Sequence, residues 1–146
     1  MINVKKVGRD IVDVSVELFK IMIPTLIVVK ILQELGIVDL LTALMSPLMS
    51  VIGLPADMAI VLTTSMLTNP YAGLIVLAGL PSLETMTVAQ ASIAASFILF
   101  AHSLPVEVLI CRKAGVRMRM SLFVRVGGGF LFCFLLHHFL QATGWL

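Results

Sequence analysis

The sequence predicts an all-α, polytopic membrane protein with broken helices and a re-entrant hairpin. Hydrophobic residues make up 60% of the 146 residues and charged residues only 12%, and the mean hydropathy is +1.11, far from the composition of soluble domains. Residues 58–83, 85–106 and 126–146 contain no Asp, Glu, Lys or Arg, and a membrane helix needs about 20 such residues. The first of these stretches also carries a turn signal at its centre. The length fits one membrane domain, 1–146, with too few elements to enclose a solute path alone.

The first 35 residues divide into a charged leader and a polar first span. Residues 1–13 carry Lys5, Lys6 and Arg9 and are predicted to lie at the cytoplasmic membrane surface. Residues 14–35 form the first span, whose polar positions fall within an arc of about 140° on a helical wheel. The side chains on that arc either face protein or water, or reach the membrane surface by snorkelling near both ends of the helix. The arc consists of Glu17, Lys20, Pro24, Lys30 and Glu34.

Residues 37–52 are predicted to form an amphipathic helix. Sixteen residues reach only about 24 Å, which is shorter than the ~30 Å hydrocarbon core. We therefore expect an interfacial or partly inserted helix, ended by Gly53-Leu54-Pro55, although the sequence leaves open whether it crosses.

Residues 57–83 are predicted to form a broken, re-entrant segment. Asn69-Pro70 followed by Gly73 is a turn signature in the middle of an apolar run. Proline removes a backbone donor and clashes with the preceding turn, so one continuous helix is disfavoured. Each arm of about ten residues would reach ~16 Å, roughly half of the membrane.

The remaining chain is predicted to hold two spans and a basic loop. Residues 86–110 form a span that His102, Ser103 and Pro105 interrupt, which indicates a second break. Residues 112–125 form a cytoplasmic loop with five of the ten basic residues, and 126–144 form the last span. The glycines that open this span favour close packing or a bend; they are Gly127, Gly128 and Gly129.

A parity argument favours the hairpin. A cytoplasmic leader and a cytoplasmic 112–125 loop require an even number of crossings between them. A re-entrant 57–83 segment gives that number, as would a crossing by 37–52. We prefer the hairpin because its arms are short.

This order of elements, with GLP after the amphipathic helix and FAHSLPVEVLICRKAGVR before the last span, resembles the Gate or nucleoside-recognition family. The likeness covers roughly residues 20–140. That family includes small membrane proteins similar to the spore maturation proteins A and B, and related segments occur in nucleoside and ferrous-iron transporters. The resemblance implies a helical membrane module, often paired with a sister chain, that is connected to the transport of polar solutes or ions.

The resemblance also implies where a solute would bind, at hairpin tips and broken helices. The matching substrate-binding positions are Thr64, Ser65, Thr68, Asn69, His102, Ser103 and Glu107. Each has a simpler interpretation. The hydroxyls can cap a helix or bond back to it, and the Asn69 amide can satisfy backbone groups that Pro70 frees. Glu107 can be a solvated or paired carboxylate, and His102 can bond to neighbouring backbone.

Catalysis, cofactors, a metal site and nucleic-acid binding are not expected. The sequence has no phosphate-binding loop, zinc-helix motif or nucleophile elbow. On one helix, His102 and Glu107 would point about 140° apart, which argues against an acid/base pair. The adjacent His137 and His138 cannot readily chelate one metal, and the basic cluster fits lipid headgroups better than nucleic acid.

The sequence thus predicts a multi-pass inner-membrane protein that binds a small polar solute or ion at broken helices. A nucleoside-like solute is one option. We expect the protein to work in the lipid bilayer as a homo-oligomer or with a sister Gate-family chain. The alternative is a non-transporting assembly or scaffold protein of the spore-maturation type that acts with a partner chain.

Overall fold

The computed structural model describes the backbone of residues 4–145, and the side chains of residues 6–145 except positions 18, 21, 22, 25, 26, 29, 30, 32 and 33. Over this range the chain is helical throughout and contains no strand, which confirms the all-α prediction. The helices are α1 Val4–Glu34, α2 Ile37–Met49, α3 Met58–Leu67, α4 Pro70–Ala78, α5 Ser82–Thr85, α6 Val88–Ala101, α7 Leu104–Lys113, α8 Met118–Leu122 and α9 Gly128–Ala142.

The leader and the first predicted span form one helix. α1 continues from residue 4 through Pro24 to residue 34, so the backbone has no boundary at residue 13. Around residue 13 the sequence has no proline or turn motif that would end a helix. α1 packs against α7 and α2, and Glu17 lies 3.5 Å from the Lys113 ammonium, with both side chains more than half exposed. Residues 1–3 of the leader and the side chains of Lys5 and Lys30 lie outside the described part.

The hydrophobic core lies between α2, α3, α6 and α9. α3 contacts α2, α4 and α6, and α6 packs along α9. Phe97 of α6 is fully buried and meets Phe130 edge to face, with ring centroids 4.7 Å apart. α3 therefore occupies the centre of the molecule. Its fully buried members include Met58, Ala59, Val61, Leu62 and Ser65.

The predicted helix over 37–52 is α2 extended by a 3₁₀ turn, Ser50–Ile52. Gly53 then adopts a left-handed conformation, with φ +74°, which glycine tolerates best. The His137 ring of α9 lies directly against this glycine, because a Cβ built there would be 2.1 Å from Nδ1. The end of α2 is thereby held against the last helix.

The basic segment 112–125 is mostly helix, which corrects the prediction of a loop. α7 continues to residue 113, and the helix from Met118 to Ala142 runs for 25 residues through a π turn, Phe123–Gly127. Arginine favours helix, and Arg125 pairs with a carboxylate instead of lying in solvent. The last helix thus begins eight residues before the predicted position.

One of the three glycines of this region, Gly129, packs closely against a neighbouring helix, as predicted. A Cβ on Gly129 would lie 3.1 Å from the Phe100 Cβ and 3.5 Å from the Phe97 ring. The backbone of α9 therefore lies directly against side chains of α6 at this point.

Among the described residues, the Met118–Ala142 helix is long and apolar enough to cross a membrane. The α6 and α7 pair meets the same criterion if the two helices, bent by 40°, form one crossing. α3, with ten residues, is shorter.

Candidate functional site

The first break in the apolar helices lies at residues 68–69, where the sequence predicted it. Thr68 leaves the helical region at φ −108° and ψ −89°, and Asn69 is extended. Pro70 begins α4, where its missing N–H has no cost. The Asn69 Oδ1 accepts the Ala72 N–H at 2.9 Å, and the Thr68 hydroxyl donates to the Thr64 carbonyl at 2.6 Å. These polar groups therefore satisfy the helix ends that the break creates.

The hydroxyls before this break face the core. Ser65 is fully buried, and its Oγ has no hydrogen-bond partner among the described residues. Gly73 of α4 lies against it, because a Cβ on Gly73 would be 1.8 Å from the Ser65 Oγ and 2.9 Å from the Val61 carbonyl. α4 thus folds back against α3 in near-backbone contact. Thr64 is also buried, whereas Asn69 is exposed.

The second break lies at residues 102–103. α6 ends at Ala101, and Ser103 adopts the left-handed conformation with φ 49° and ψ 35°. Its N–H donates to the Ser65 carbonyl at 2.9 Å. Pro105 then lies in the first turn of α7. The hydrogen bond between Ser103 and Ser65 joins the second break to the helix that leads into the first.

An ionic network lies beside the second break. Glu107 accepts contacts on both carboxylate oxygens: His102 Nε2 lies 3.1 Å from Oε1, and Arg125 Nη2 contacts Oε2. The Arg125 Nη1 also donates to the Phe100 carbonyl at 3.4 Å. The side chains of all three residues are only about a quarter exposed, at 25–27%. Charges in an apolar helix pair are expensive and are typical of functional sites.

This network corrects the prediction that His102 and Glu107 point apart. The angle of about 140° assumed one continuous helix, but α6 ends at Ala101 and Glu107 belongs to α7. The bend of 40° and the left-handed Ser103 turn the carboxylate back towards the imidazole. His102 also bonds to the backbone through Nδ1, 3.0 Å from the Ile98 carbonyl.

Sequence reasoning missed Arg125 as a site residue, because it was assigned to the basic loop. The π turn that contains it is the kind of local irregularity found at functional positions. One signal could have found it: Arg125 is followed by 21 residues without a charge. An arginine at the start of such a run has to find a carboxylate or reach the interface.

The seven predicted positions thus separate into two groups. Ser65 and Ser103 meet through their backbones, and His102 and Glu107 pair through their side chains. Thr64, Thr68 and Asn69 lie at the first break. There the Thr68 hydroxyl donates to the Thr64 carbonyl, and the Asn69 Oδ1 accepts the Ala72 N–H. No group of three or more His, Cys, Asp or Glu residues in the described part could hold a metal ion.

A groove of about 650 Å³ lies beside both breaks but is apolar. None of the seven predicted positions lines it, although their neighbours do. Hydrocarbon fits such walls better than a polar solute does. The lining residues are Pro24, Val28, Leu41, Met66, Leu67, Leu104, Pro105, Val108, Leu109, Met118, Leu122 and Val126.

Comparisons with known proteins bear on this arrangement. The Gate family model, described as nucleoside recognition, matches residues 15–117. The uncharacterized membrane protein YvoD of Bacillus subtilis (strain 168) is 34% identical over 108 residues, covering 74% of this chain and 33% of that protein. The chain therefore spans about a third of the length of this relative. No solved structure matches the chain. The matched range includes both helix breaks, His102 and Glu107, and the chain belongs to the Gate (nucleoside recognition) family.

Proposed function

We propose that this chain is a multi-pass inner-membrane transport protein, or a subunit of one, that binds a small polar solute or ion beside its paired helix breaks. The observation that carries the proposal is the joining of the two breaks by the Ser103 to Ser65 hydrogen bond, with the His102, Glu107 and Arg125 network next to it. Broken helices with ionisable groups are how many membrane transporters build solute sites.

The network supplies the chemistry for a polar solute. The Arg125 guanidinium and the Glu107 carboxylate are about a quarter exposed, so a solute can reach them without unfolding the helices. A solute with a negative group would bind the guanidinium, and one with hydroxyls or amines would bind the carboxylate. The network therefore offers complementary groups to several candidate solute classes, including nucleosides, amino acids and organic acids.

The proposal includes a partner, either a second copy or a sister chain. The groove beside the breaks is apolar, so the polar wall of a solute path has to come from elsewhere. α3 has ten residues and α4 nine. As the arms of a re-entrant hairpin they would cover only part of the membrane thickness each. The relative YvoD is about three times as long as the matched region, consistent with a larger functional unit.

The proposed orientation places the N-terminus and the connection between α7 and α8 in the cytoplasm. Basic residues concentrate around that connection, and the cytoplasmic sides of membrane proteins are enriched in Lys and Arg. Arg125 no longer counts towards this set because it pairs with Glu107. The remaining basic residues are Arg112, Lys113, Arg117 and Arg119.

The test is uptake into proteoliposomes together with ligand-induced stabilisation of the purified protein. The probes are nucleosides, amino acids, organic acids and divalent metal ions. We expect one class to be taken up and to raise the unfolding temperature, and Glu107→Gln to abolish both effects. Glu17→Gln is the matched control, because Glu17 pairs with Lys113 at an exposed site away from the breaks.

Two results would contradict the proposal. The first is the absence of uptake and stabilisation for every probe class. The second is retention of uptake by Glu107→Gln. If changes to Arg117 and Arg119 then abolished binding to a partner chain while Glu107→Gln had no effect, the scaffold function would replace transport.

A further inference from the structure

Both ring nitrogens of His102 face hydrogen-bond acceptors. Nδ1 lies 3.0 Å from the Ile98 carbonyl oxygen, which can only accept. Nε2 lies 3.1 Å from Oε1 of Glu107, which also only accepts when the carboxyl group is ionised. A neutral imidazole carries one N–H, so a neutral ring beside an ionised Glu107 would leave one of these contacts with two lone pairs and no proton.

Two protonation arrangements satisfy both contacts. In the first, His102 is an imidazolium that donates to the Ile98 carbonyl and to an ionised Glu107. In the second, a neutral ring with its proton on Nδ1 accepts a hydrogen bond from a protonated Glu107. Both arrangements hold two protons on the pair, one more than a neutral histidine and an ionised glutamate.

We propose that His102 and Glu107 form a proton-binding site, and that the geometry of the second helix break is that of its proton-loaded state. The proton lies between Nε2 and Oε1, and its release returns the pair to one proton. The Arg125 guanidinium contacts the other carboxylate oxygen, Oε2, and leaves Oε1 to the imidazole.

The elements packed around this site differ in charge. α3 and α6 carry no charged side chain, and the π turn contributes Arg125. α1, which packs along α7, carries nine charged residues: Lys5, Lys6, Arg9, Asp10, Asp13, Glu17, Lys20, Lys30 and Glu34. α7 carries Arg112 and Lys113 at its other end, where Lys113 pairs with Glu17 of α1, and α8 carries Arg119. Among the described residues, Arg125 is the cation that contacts the Glu107 carboxylate directly.

Proton release would change the break itself. Without the shared proton, lone pairs on Nε2 and Oε1 would face each other at 3.1 Å, so the ring has to change tautomer or turn away. Either change alters the hydrogen bond between His102 Nδ1 and the Ile98 carbonyl at the end of α6, next to Ser103. Because the Ser103 N–H is bonded to the Ser65 carbonyl, the change reaches α3. Coupling of this proton to solute movement rests on the proposed function, whereas the proton site itself does not.

The test is ¹⁵N NMR of the full chain with labelled histidines in lipid nanodiscs, titrated across the range in which histidines exchange protons, about pH 5 to 8 and above. For His102 we expect Nδ1 to stay protonated throughout, and Nε2 to share a proton with Glu107 at neutral pH and to lose it as the pH rises. His138 is an internal reference, because its Nδ1 lies 2.9 Å from the Phe134 carbonyl without a carboxylate partner among the described residues.

Two variants identify the partners of the proton. Glu107→Gln offers Nε2 an amide donor, so we expect the loss of the shared proton and a neutral ring with its proton on Nδ1. Arg125→Gln removes the contact to the other carboxylate oxygen but leaves Nε2 and Oε1 in place, so we expect the shared proton to remain on the pair. If Glu107→Gln does not fold, the wild-type titration still decides, since it shows directly which nitrogen carries a proton.

A neutral His102 ring with a bare Nδ1 at neutral pH would overturn the proposal, as would titration identical in wild type and Glu107→Gln. Failure of uptake with an intact titration would overturn only the proposed function. Uptake that is insensitive to pH, with an intact titration, would overturn only the coupling between proton and solute.

Discussion

The two helix breaks use the same backbone device but are held together differently. Each has a proline in the first turn of the following helix, Pro70 in α4 and Pro105 in α7. At the first break, Asn69 caps α4 and Gly73 lets the two helices touch. At the second, the junction residue Ser103 is left-handed, and an ionic network joins the end of α6, α7 and the π turn before α9.

The polar groups of the first break stabilise the backbone, whereas those of the second break are ionisable and partly exposed. The Thr68 hydroxyl and the Asn69 amide oxygen already bond to the backbone at the first break. The Ser65 hydroxyl, which has no hydrogen-bond partner in the described part of the chain, is buried against Gly73. A solute would therefore have to displace a cap to bind there. At the second break, ionisable groups are partly exposed and bond to each other. We expect packing changes to matter most at the first break and charge changes at the second.

The largest effect is expected for Gly73→Ala at the first break. The added methyl group would collide with the Val61 carbonyl at 2.9 Å, which cannot rotate away, and with the Ser65 Oγ. Overpacking costs about 1 to 3 kcal/mol, and a collision with a backbone carbonyl puts this site towards the upper end of that range. The free energy of unfolding, measured by titration of mixed micelles with a denaturing detergent, should fall by that amount.

The matched control is Gly128→Ala, because a Cβ at Gly128 meets nothing within 4 Å. Alanine should stabilise that helix by up to about 1 kcal/mol. Equal effects of the two substitutions would show that α3 and α4 are not in close contact.

The next effect is expected for Glu107→Gln at the second break. It leaves Arg125 in an apolar helix without its carboxylate. Breaking a fully buried pair costs about 3 to 5 kcal/mol, but this pair is about a quarter exposed, so screening reduces the cost to about 1 to 2 kcal/mol. The same unfolding titration at low and high salt should show a smaller loss at high salt.

Glu17→Gln provides the comparison for charge removal. Glu17 and Lys113 are more than half exposed and 3.5 Å apart, and such pairs contribute about 0 to 1 kcal/mol. A loss for Glu17→Gln as large as that for Glu107→Gln would contradict the distinction between an exposed pair and the network.

A smaller effect is expected for Asn69→Ala. It removes the oxygen that accepts the Ala72 N–H and should cost about 1 kcal/mol, the usual value of such a cap. Asn69→Asp keeps the acceptor and should retain most of the stability. If Asn69→Ala instead left stability intact but weakened solute binding in the uptake assay, Asn69 would be a ligand and not only a cap.

Local signals predicted the breaks well. Asn69-Pro70 and the His102 to Pro105 segment are short motifs whose effect on the backbone is immediate, and the structure places a helix end at each. The same is true of the end of α2 at Gly53. The hydrophobic pattern gave the all-α class because long apolar runs without charge favour helices in membranes.

Relations between elements could not be predicted in the same way. The distance between His102 and Glu107 depends on the bend between α6 and α7, and the position of Arg125 depends on the π turn and on how α9 packs against α6. Helical-wheel geometry holds only within one helix, so it placed the two side chains on opposite sides. A charge count assigned Arg125 to the loop because it could not show a partner 18 residues earlier in the chain.

The smallest effect, a gain in stability instead of a loss, is expected for Ser103→Gly. Ser103 has φ 49°, a conformation that costs a non-glycine residue about 1 to 2 kcal/mol, and its side chain makes no capping bond. Glycine relieves this strain but loses more chain entropy on folding, so a net gain of about 0.5 kcal/mol is expected. Ser96→Gly, inside α6, should instead lose about 0.5 kcal/mol, because glycine is a poorer helix former than serine. Unfolding titrations of the two variants should therefore shift in opposite directions. A loss at both positions would mean that the Ser103 hydroxyl contributes a contact, and the second break would then resemble the first in using side-chain caps.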